Sequence, residues 1–127
     1  MRVILVRHAE ASPGRPDELR RLTPAGLEAA EALAAVLAEK RPDAVVSSPL
    51  ARARETAAAI ASAAGLEAQA DVALAPGATP GSLRAAVEGR GETVIAVGHQ
   101  PDLGLIFLEL TGHETRFPTA GYAEVEL

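Results

Sequence analysis

Val3-Ile4-Leu5-Val6 is apolar at four successive positions, so a strand built from it has no face suited to water. Such a strand needs cover on both sides, the situation of a parallel sheet flanked by helices. Arg7 and His8 end the run abruptly. In open α/β sheets the ligand crevice lies just beyond the carboxyl ends of the strands, where this pair would sit. Arginine presents a planar fork of donors for phosphate or carboxylate, and histidine can act as nucleophile or proton carrier near neutral pH. Taken alone, a polar pair closing a strand is more often a solvated end. A second stretch changes the odds: Thr93-Val94-Ile95-Ala96-Val97-Gly98 is again apolar on both faces and again runs into a histidine, His99.

Between these strands the chain alternates element types. Thr23-Pro24 reads as an N-cap with proline at the first helical position, and Leu27, Ala30, Leu33 and Leu37 follow at helical spacing until Lys40-Arg41-Pro42. Ala44-Val45-Val46-Ser47 is a second strand. Ser48-Pro49 repeats the cap-then-proline device, and Leu50, Ala53, Ala57, Ile60 and Ala64 form the buried stripe of the next helix, ended by Gly65. Val72-Ala73-Leu74 is a weaker strand candidate. Thr79-Pro80 caps a short helix through Val87, and Gln100-Pro101 opens a last helix carrying Leu103, Ile106, Phe107 and Leu110. Tyr122 to Leu127 alternates as a half-exposed edge strand. The order β-α-β-α-β-α-β-α-β predicts a three-layer α/β/α sandwich with a mostly parallel sheet, and residues 1–127 are expected to form a single domain.

Composition removes several function classes. With no cysteine there is no disulfide framework, thiolate catalysis or Cys-ligated metal, and a net charge of −5 offers no basic field for nucleic acid or anionic lipid. No apolar run reaches membrane-spanning length, and the opening one is too short for a signal peptide, so a soluble cytoplasmic protein is expected. Aromatic residues are 2% of the chain, so the core must be aliphatic.

Arg52 and Arg54 lie in the first turns of the second helix, whose N-terminus already favours anions. Periodicity does not choose between them. Arg7, His8, His99 and one of these arginines make a cationic pocket without a plausible set of metal ligands, since Glu10 on a loop is a poor third for zinc. G-x-S-x-G, a Walker loop and G-x-G-x-x-G after a strand are all absent. What remains is recognition of a phosphoryl group with a histidine as nucleophile. Guanidinium groups would bind the equatorial oxygens and keep the neighbouring imidazole unprotonated. A carbonyl holding the other ring N–H would fix its tautomer, and a second, protonated histidine would add a donor. His113, in a polar loop, is expected at the surface.

V-R-H-A-E after the first strand, S-S-P-L-A-R-A-R-E-T into a helix and V-G-H-Q-P after a later strand resemble the histidine phosphatase superfamily, which includes the phosphoglycerate mutases. L-T-P-A-G, the small size and the closing F-P-T-A-G-Y-A-E-V-E-L are most similar to SixA-type phosphohistidine phosphatases. The resemblance implies His8 as nucleophile, with Arg7, Arg52 and His99 around the phosphate and no cofactor. The R-A-x-x-T portion selects Arg52 over Arg54. Ala9 stands where the family's R-H-G signature has glycine.

A further departure concerns the proton donor. Mutase-like relatives carry a glutamate in an insertion after the second helix. Here that region is short, and Asp71 is followed by no carboxylate until Glu88. An alkoxide leaving group needs a proton, whereas imidazole leaves more easily. The leading expectation is therefore a metal-independent phosphatase of protein phosphohistidine. The alternatives are a phosphatase of small phosphomonoesters, with Glu10 or Asp71 as acid, and a module that binds phosphate without turning it over.

Overall fold

The computed structural model describes residues 1–127. Five strands, β1 (Arg2–Arg7), β2 (Ala44–Ser47), β3 (Ala68–Ala70), β4 (Thr93–Gly98) and β5 (Tyr122–Glu126), form one sheet in the order β3-β2-β4-β1-β5. The first four run parallel and β5 pairs antiparallel with β1 at the edge, as the alternation of the tail predicts. Helices α1 (Pro24–Ala38) and α2 (Ala51–Ala63) cover one face, while α3 (Pro80–Val87) and α4 (Asp102–Thr111) cover the other.

The two all-apolar strands divide their side chains between two cores. Ile4, Val6, Ile95 and Val97 point towards Leu33, Leu37 and Ile60 of α1 and α2. Val3, Leu5, Val94 and Ala96 point the other way, towards Leu83, Val87, Leu103 and Ile106. All eight of these strand residues are buried, which is why neither strand alternates in polarity.

Four local expectations need correction. Val72-Ala73-Leu74 is a 3₁₀ turn; the strand lies just before it, at Ala68–Ala70. Asp71 continues the ladder with one bond from its N–H to the Ser47 carbonyl, then turns the chain by accepting the Ala73 N–H on its side chain. Leu74 of that apolar triplet is buried in the core, Ala73 packs against it half-buried, and Val72 is exposed. Ser48-Pro49 does not cap α2, which starts at Ala51 after Leu50 with no side-chain cap. Leu27 is exposed because the buried stripe of α1 runs through Gly26, Ala30, Leu33, Ala34 and Leu37, one position round the helix. Ala64 lies past the end of α2, half-buried.

The start of α1 anchors the loop that follows His8. Thr23 Oγ1 accepts the Gly26 N–H at 2.9 Å, and the Thr23 N–H donates to the Glu10 carbonyl at 3.0 Å. A Cβ on Gly26 would overlap that Glu10 carbonyl oxygen, so Leu22-Thr23-Pro24-Ala25-Gly26 lets the loop backbone lie directly on the helix. In a free helix Gly→Ala is worth up to about 1 kcal/mol of added stability. Here the neighbour is backbone and cannot rotate away, so Gly26→Ala should instead lower stability by about 1–3 kcal/mol, measured by urea denaturation. An unchanged midpoint would show that the loop yields freely.

Candidate active site

The site grows from the ends of three neighbouring strands. His8 follows β1 and donates its N–H to the Gly98 carbonyl at 3.2 Å; Ser48 follows β2 and donates to the Val97 carbonyl at 2.9 Å; His99 follows β4, between them. The two imidazoles lie side by side with centroids 5.3 Å apart and planes tilted by 55°, close enough for one phosphoryl group to touch both. Both rings are buried, leaving 9% of His8 and 5% of His99 exposed.

Hydrogen bonding decides what each ring nitrogen can do. His8 Nδ1 is 2.7 Å from the Ala9 carbonyl oxygen, which only accepts. Nδ1 therefore carries the proton, and Nε2 is left with a free electron pair. Ala9 is itself fully buried and does not have a positive φ, so the methyl group that replaces the signature glycine causes no backbone strain. Its N–H donates to Thr56 Oγ1 at 3.0 Å, while the Thr56 hydroxyl donates to the Arg52 carbonyl at 2.8 Å. One threonine thus ties the loop after His8 to α2.

His99 Nε2 lies 2.7 Å from Ser48 Oγ. That oxygen already accepts the Leu50 N–H at 3.2 Å, so its hydrogen is available to Nε2. Nδ1 then bears the ring hydrogen and, though buried, has no acceptor. Arg7 shows the same deficiency. Its Nη1 donates to the Phe117 carbonyl at 3.0 Å, which fixes the guanidinium, but its buried Nε is unpartnered. These are the two buried side-chain nitrogen or oxygen atoms in the protein without a partner; one belongs to the residue before His8 and the other to the ring packed against it. Buried unsatisfied donors are costly, and an anion between them would satisfy both.

Arg52 lies on the buried side of α2 with Ala53 and Thr56, whereas Arg54 is exposed. Its Nη1 donates to the Asp17 carbonyl at 2.9 Å and its Nη2 to Asp17 Oδ2 at 3.1 Å. Arg20 also reaches Asp17, Nη1 to Oδ1 at 3.0 Å, and is held by Nε to the Ser12 carbonyl at 2.7 Å. Sequence reasoning missed Asp17, Arg20, Ser48 and Thr56. Ser48 and Thr56 were visible in S-S-P-L-A-R-A-R-E-T as fixed companions of Arg52; Asp17 and Arg20 sit in a loop with no pattern.

Of the two candidate proton donors, Glu10 is exposed at the rim and accepts the Thr23 hydroxyl at 2.7 Å. Asp71 is not part of this cluster. It follows β3, three strand spacings or roughly 14 Å from β1, and its carboxylate is engaged by the Ala73 N–H and, at 3.7 Å, by Arg90. His113 is exposed as expected. A surface groove of about 630 Å³ runs along α2 and β3 past Arg54 and Glu67, and neither histidine lines it.

The same geometry sets the imidazole charges. Burial pushes the His8 pKa below its usual 6.5, with the charges of Arg52, Arg7 and Arg20 adding to the effect against the Ala9 hydrogen bond. His99 is pushed down to about 4, first by burial and then by His8 and Arg52. His99 is thus neutral near pH 7 in the free protein, whereas the expectation of a protonated ring concerns the site with a phosphoryl group bound. It still offers a donor, through Nδ1.

Residues 3–76, more than half of the chain, match the sequence profile of the histidine phosphatase superfamily, branch 1. The chain belongs to that superfamily. It is accordingly a phosphatase, with the phosphoglycerate mutase-like fold. A protein described as a SixA phosphohistidine phosphatase from Agrobacterium tumefaciens is 31% identical, with TM-score 0.81 over 97% of this chain and 89% of that one. The protein histidine phosphatase SixA bound to tungstate is 27% identical, with TM-score 0.87 over 100% and 88% of the two chains. A mycobacterial glucosyl-3-phosphoglycerate phosphatase, 18% identical, shares the fold with TM-score 0.76 over 97% and 88%. No curated protein sequence matches the chain. No helix is long and apolar enough to cross a membrane.

Both histidines should titrate below 6.5 in the free protein, His99 near pH 4, when their ring resonances are followed by NMR. Because folding lowers both values, their contribution to stability is present above 6.5 and is lost as the pH falls towards 4. Added inorganic phosphate should raise the His99 value, since an anion favours the imidazolium. Titration of either ring at or above 6.5 in the free protein would contradict this account.

Proposed function

We propose that the protein hydrolyses phosphohistidine on other proteins through a covalent phosphoryl group on His8. The observation that carries the reading is a free electron pair on His8 Nε2 together with two buried donors without acceptors, Arg7 Nε on the preceding residue and His99 Nδ1 on the neighbouring ring. Binding alone would need the donors but not the aligned nucleophile.

In this mechanism Arg7, Arg52 and His99 hold the phosphoryl oxygens, and His8 Nε2 attacks phosphorus in line with the leaving nitrogen. The N–P bond of the substrate breaks with its electron pair going to the substrate imidazole, which leaves neutral if its other ring nitrogen bears the proton. Water then attacks phosphorus, the bond to His8 Nε2 breaks, and the water proton passes to the departing phosphate or to solvent. No cofactor takes part.

The substrate class is supported by the carboxylates around the pocket. Expulsion of an alkoxide calls for a proton donor, and none of them suits that role. Asp71 lies across the sheet, Glu10 faces solvent beside Thr23, Asp102 accepts the Gly77 and Ala78 N–H groups at 2.8 and 3.2 Å, and hydrogen bonds from Arg20 and Arg52 hold the Asp17 carboxyl below its usual range, so that it stays ionised. Imidazole leaves without such help. The likeness to proteins described as SixA phosphohistidine phosphatases points the same way.

Quenched reactions should yield an acid-labile, base-stable phosphoenzyme, and His8→Ala should remove both the label and turnover. Arg7→Ala or Arg52→Ala should lower kcat/KM by roughly 10²–10³-fold. Activity should withstand a strong chelator; loss restored by a divalent ion would overturn the mechanism. Efficiency should rank a phosphohistidine protein above aryl phosphates, and aryl phosphates above sugar phosphates. Were a sugar phosphate the best substrate, and Glu10→Gln or Asp71→Asn to abolish its hydrolysis selectively, the small-molecule reading would replace this one.

A further inference from the structure

Arg52 and Arg20 share a single carboxylate. Asp17 lies on a 3₁₀ turn, Asp17–Leu19, in the loop between β1 and α1; Oδ2 takes Arg52 Nη2 and Oδ1 takes Arg20 Nη1. The Asp17 side chain is 60% exposed while that of Arg52 is 9% exposed, so the carboxylate stands on the solvent side of the arginine. Arg7 has no such counter-ion: its guanidinium is fixed by a neutral carbonyl.

The orientation of both arginines has a second, independent support. Arg52 Nη1 is held by the main-chain carbonyl of residue 17, and Arg20 Nε by the main-chain carbonyl of Ser12. Substituting the Asp17 side chain removes neither oxygen. What the carboxylate adds beyond these anchors is chiefly negative charge, set against two guanidinium groups whose fields both reach His8.

We propose that the Asp17 carboxylate is a resident anion of the phosphate pocket, competing with the phosphoryl group of the substrate and with released phosphate for Arg52 and Arg20. This rests on the phosphatase reading above and deepens it. An incoming phosphoryl group must share these guanidinium groups with a charge already present. The free energy of that competition is subtracted from ground-state and product binding alike. Released phosphate is held in part by the same guanidinium groups that Asp17 engages. Weakening that hold speeds its departure. Asp17 acts through the arginines and need not touch phosphorus, and its signature is a change in affinity larger than any change in turnover.

The test is calorimetric titration of the whole chain with inorganic phosphate at low salt, for the wild type and for Asp17→Asn, Asp17→Ala, Asp17→Glu and Arg7→Ala, with thermal melts to verify folding. Asp17→Asn and Asp17→Ala should bind phosphate roughly three- to tenfold more tightly, and the gain should shrink at about 0.5 M salt. Asp17→Glu, which restores the charge, should return towards wild-type affinity. With p-nitrophenyl phosphate, KM should fall in Asp17→Asn without a proportionate rise in kcat. Unchanged or weaker phosphate binding in both neutral variants would overturn the inference, the weaker outcome showing that the carboxylate supports the arginines. If Arg7→Ala abolishes binding while the neutral Asp17 variants match wild type, only this inference falls. If Arg7→Ala leaves phosphate affinity intact, the pocket itself is misassigned and both readings fall together.

Discussion

The parallel register of β1 against β4 pairs Arg2 with Thr93 at one end and Arg7 with Gly98 at the other, so that both strands finish level and hand on to His8 and His99. A slip of one residue would move every valine and isoleucine of a strand to the opposite core and separate the two rings by a further strand rise. The slip is opposed by the fit of eight buried aliphatic side chains, because each core would receive residues of the wrong size and shape. Catalytic alignment is therefore underwritten by packing several residues away from the chemistry. β2 continues the arrangement on the far side of β4: Ser47 pairs with Val97, and the Ser48 hydroxyl that follows reaches His99.

Burial also sets the electrostatics. An exposed histidine near neutral pH is partly protonated, and a protonated ring has no electron pair to attack with. Here desolvation is the largest cause of the lowered pKa of both rings, and the arginines reinforce it by repelling a further positive charge. The same enclosure leaves Arg7 Nε and His99 Nδ1 without a protein acceptor. Burial of this kind is costly for unpaired donors and apt for an anion, and a single cause, enclosure at the sheet edge, accounts for both properties.

The loop between β1 and α1 has little hydrophobic content to hold it and is positioned by point contacts. Thr56 receives the Ala9 N–H, Gly26 lets the Glu10 backbone lie on α1, and an isolated bridge joins Ala11 to Leu22. Glu55 accepts the Leu22 N–H at 2.8 Å and pairs with Arg21. These contacts bring Asp17 and Arg20 to the mouth of the site, so the loop that supplies the His8 carbonyl anchor also supplies the counter-ion of Arg52.

The sequence by itself determined the layer architecture, because period and polarity are local properties: a run apolar on both faces demands two covers wherever it lies. It also determined the placement of His8 and His99 at strand ends, and through the resemblance of its motifs it singled out Arg7 and Arg52. Ala68-Gln69-Ala70 was not legible as a strand, since it has no β-branched residue and becomes one only by pairing with Val45–Ser47. Ser48 read as a helix cap because that is its commonest local use, yet its hydroxyl meets a histidine 51 positions away. Asp71 read as a candidate acid until the strand order put β2 and β4 between it and β1. Asp17 had no local mark at all, and its role follows from a contact with Arg52, 35 residues away. Tertiary structure alone decided these, for a common physical reason: which donor meets which acceptor depends on contacts between residues distant in the chain, and periodicity reports only a residue's immediate neighbours.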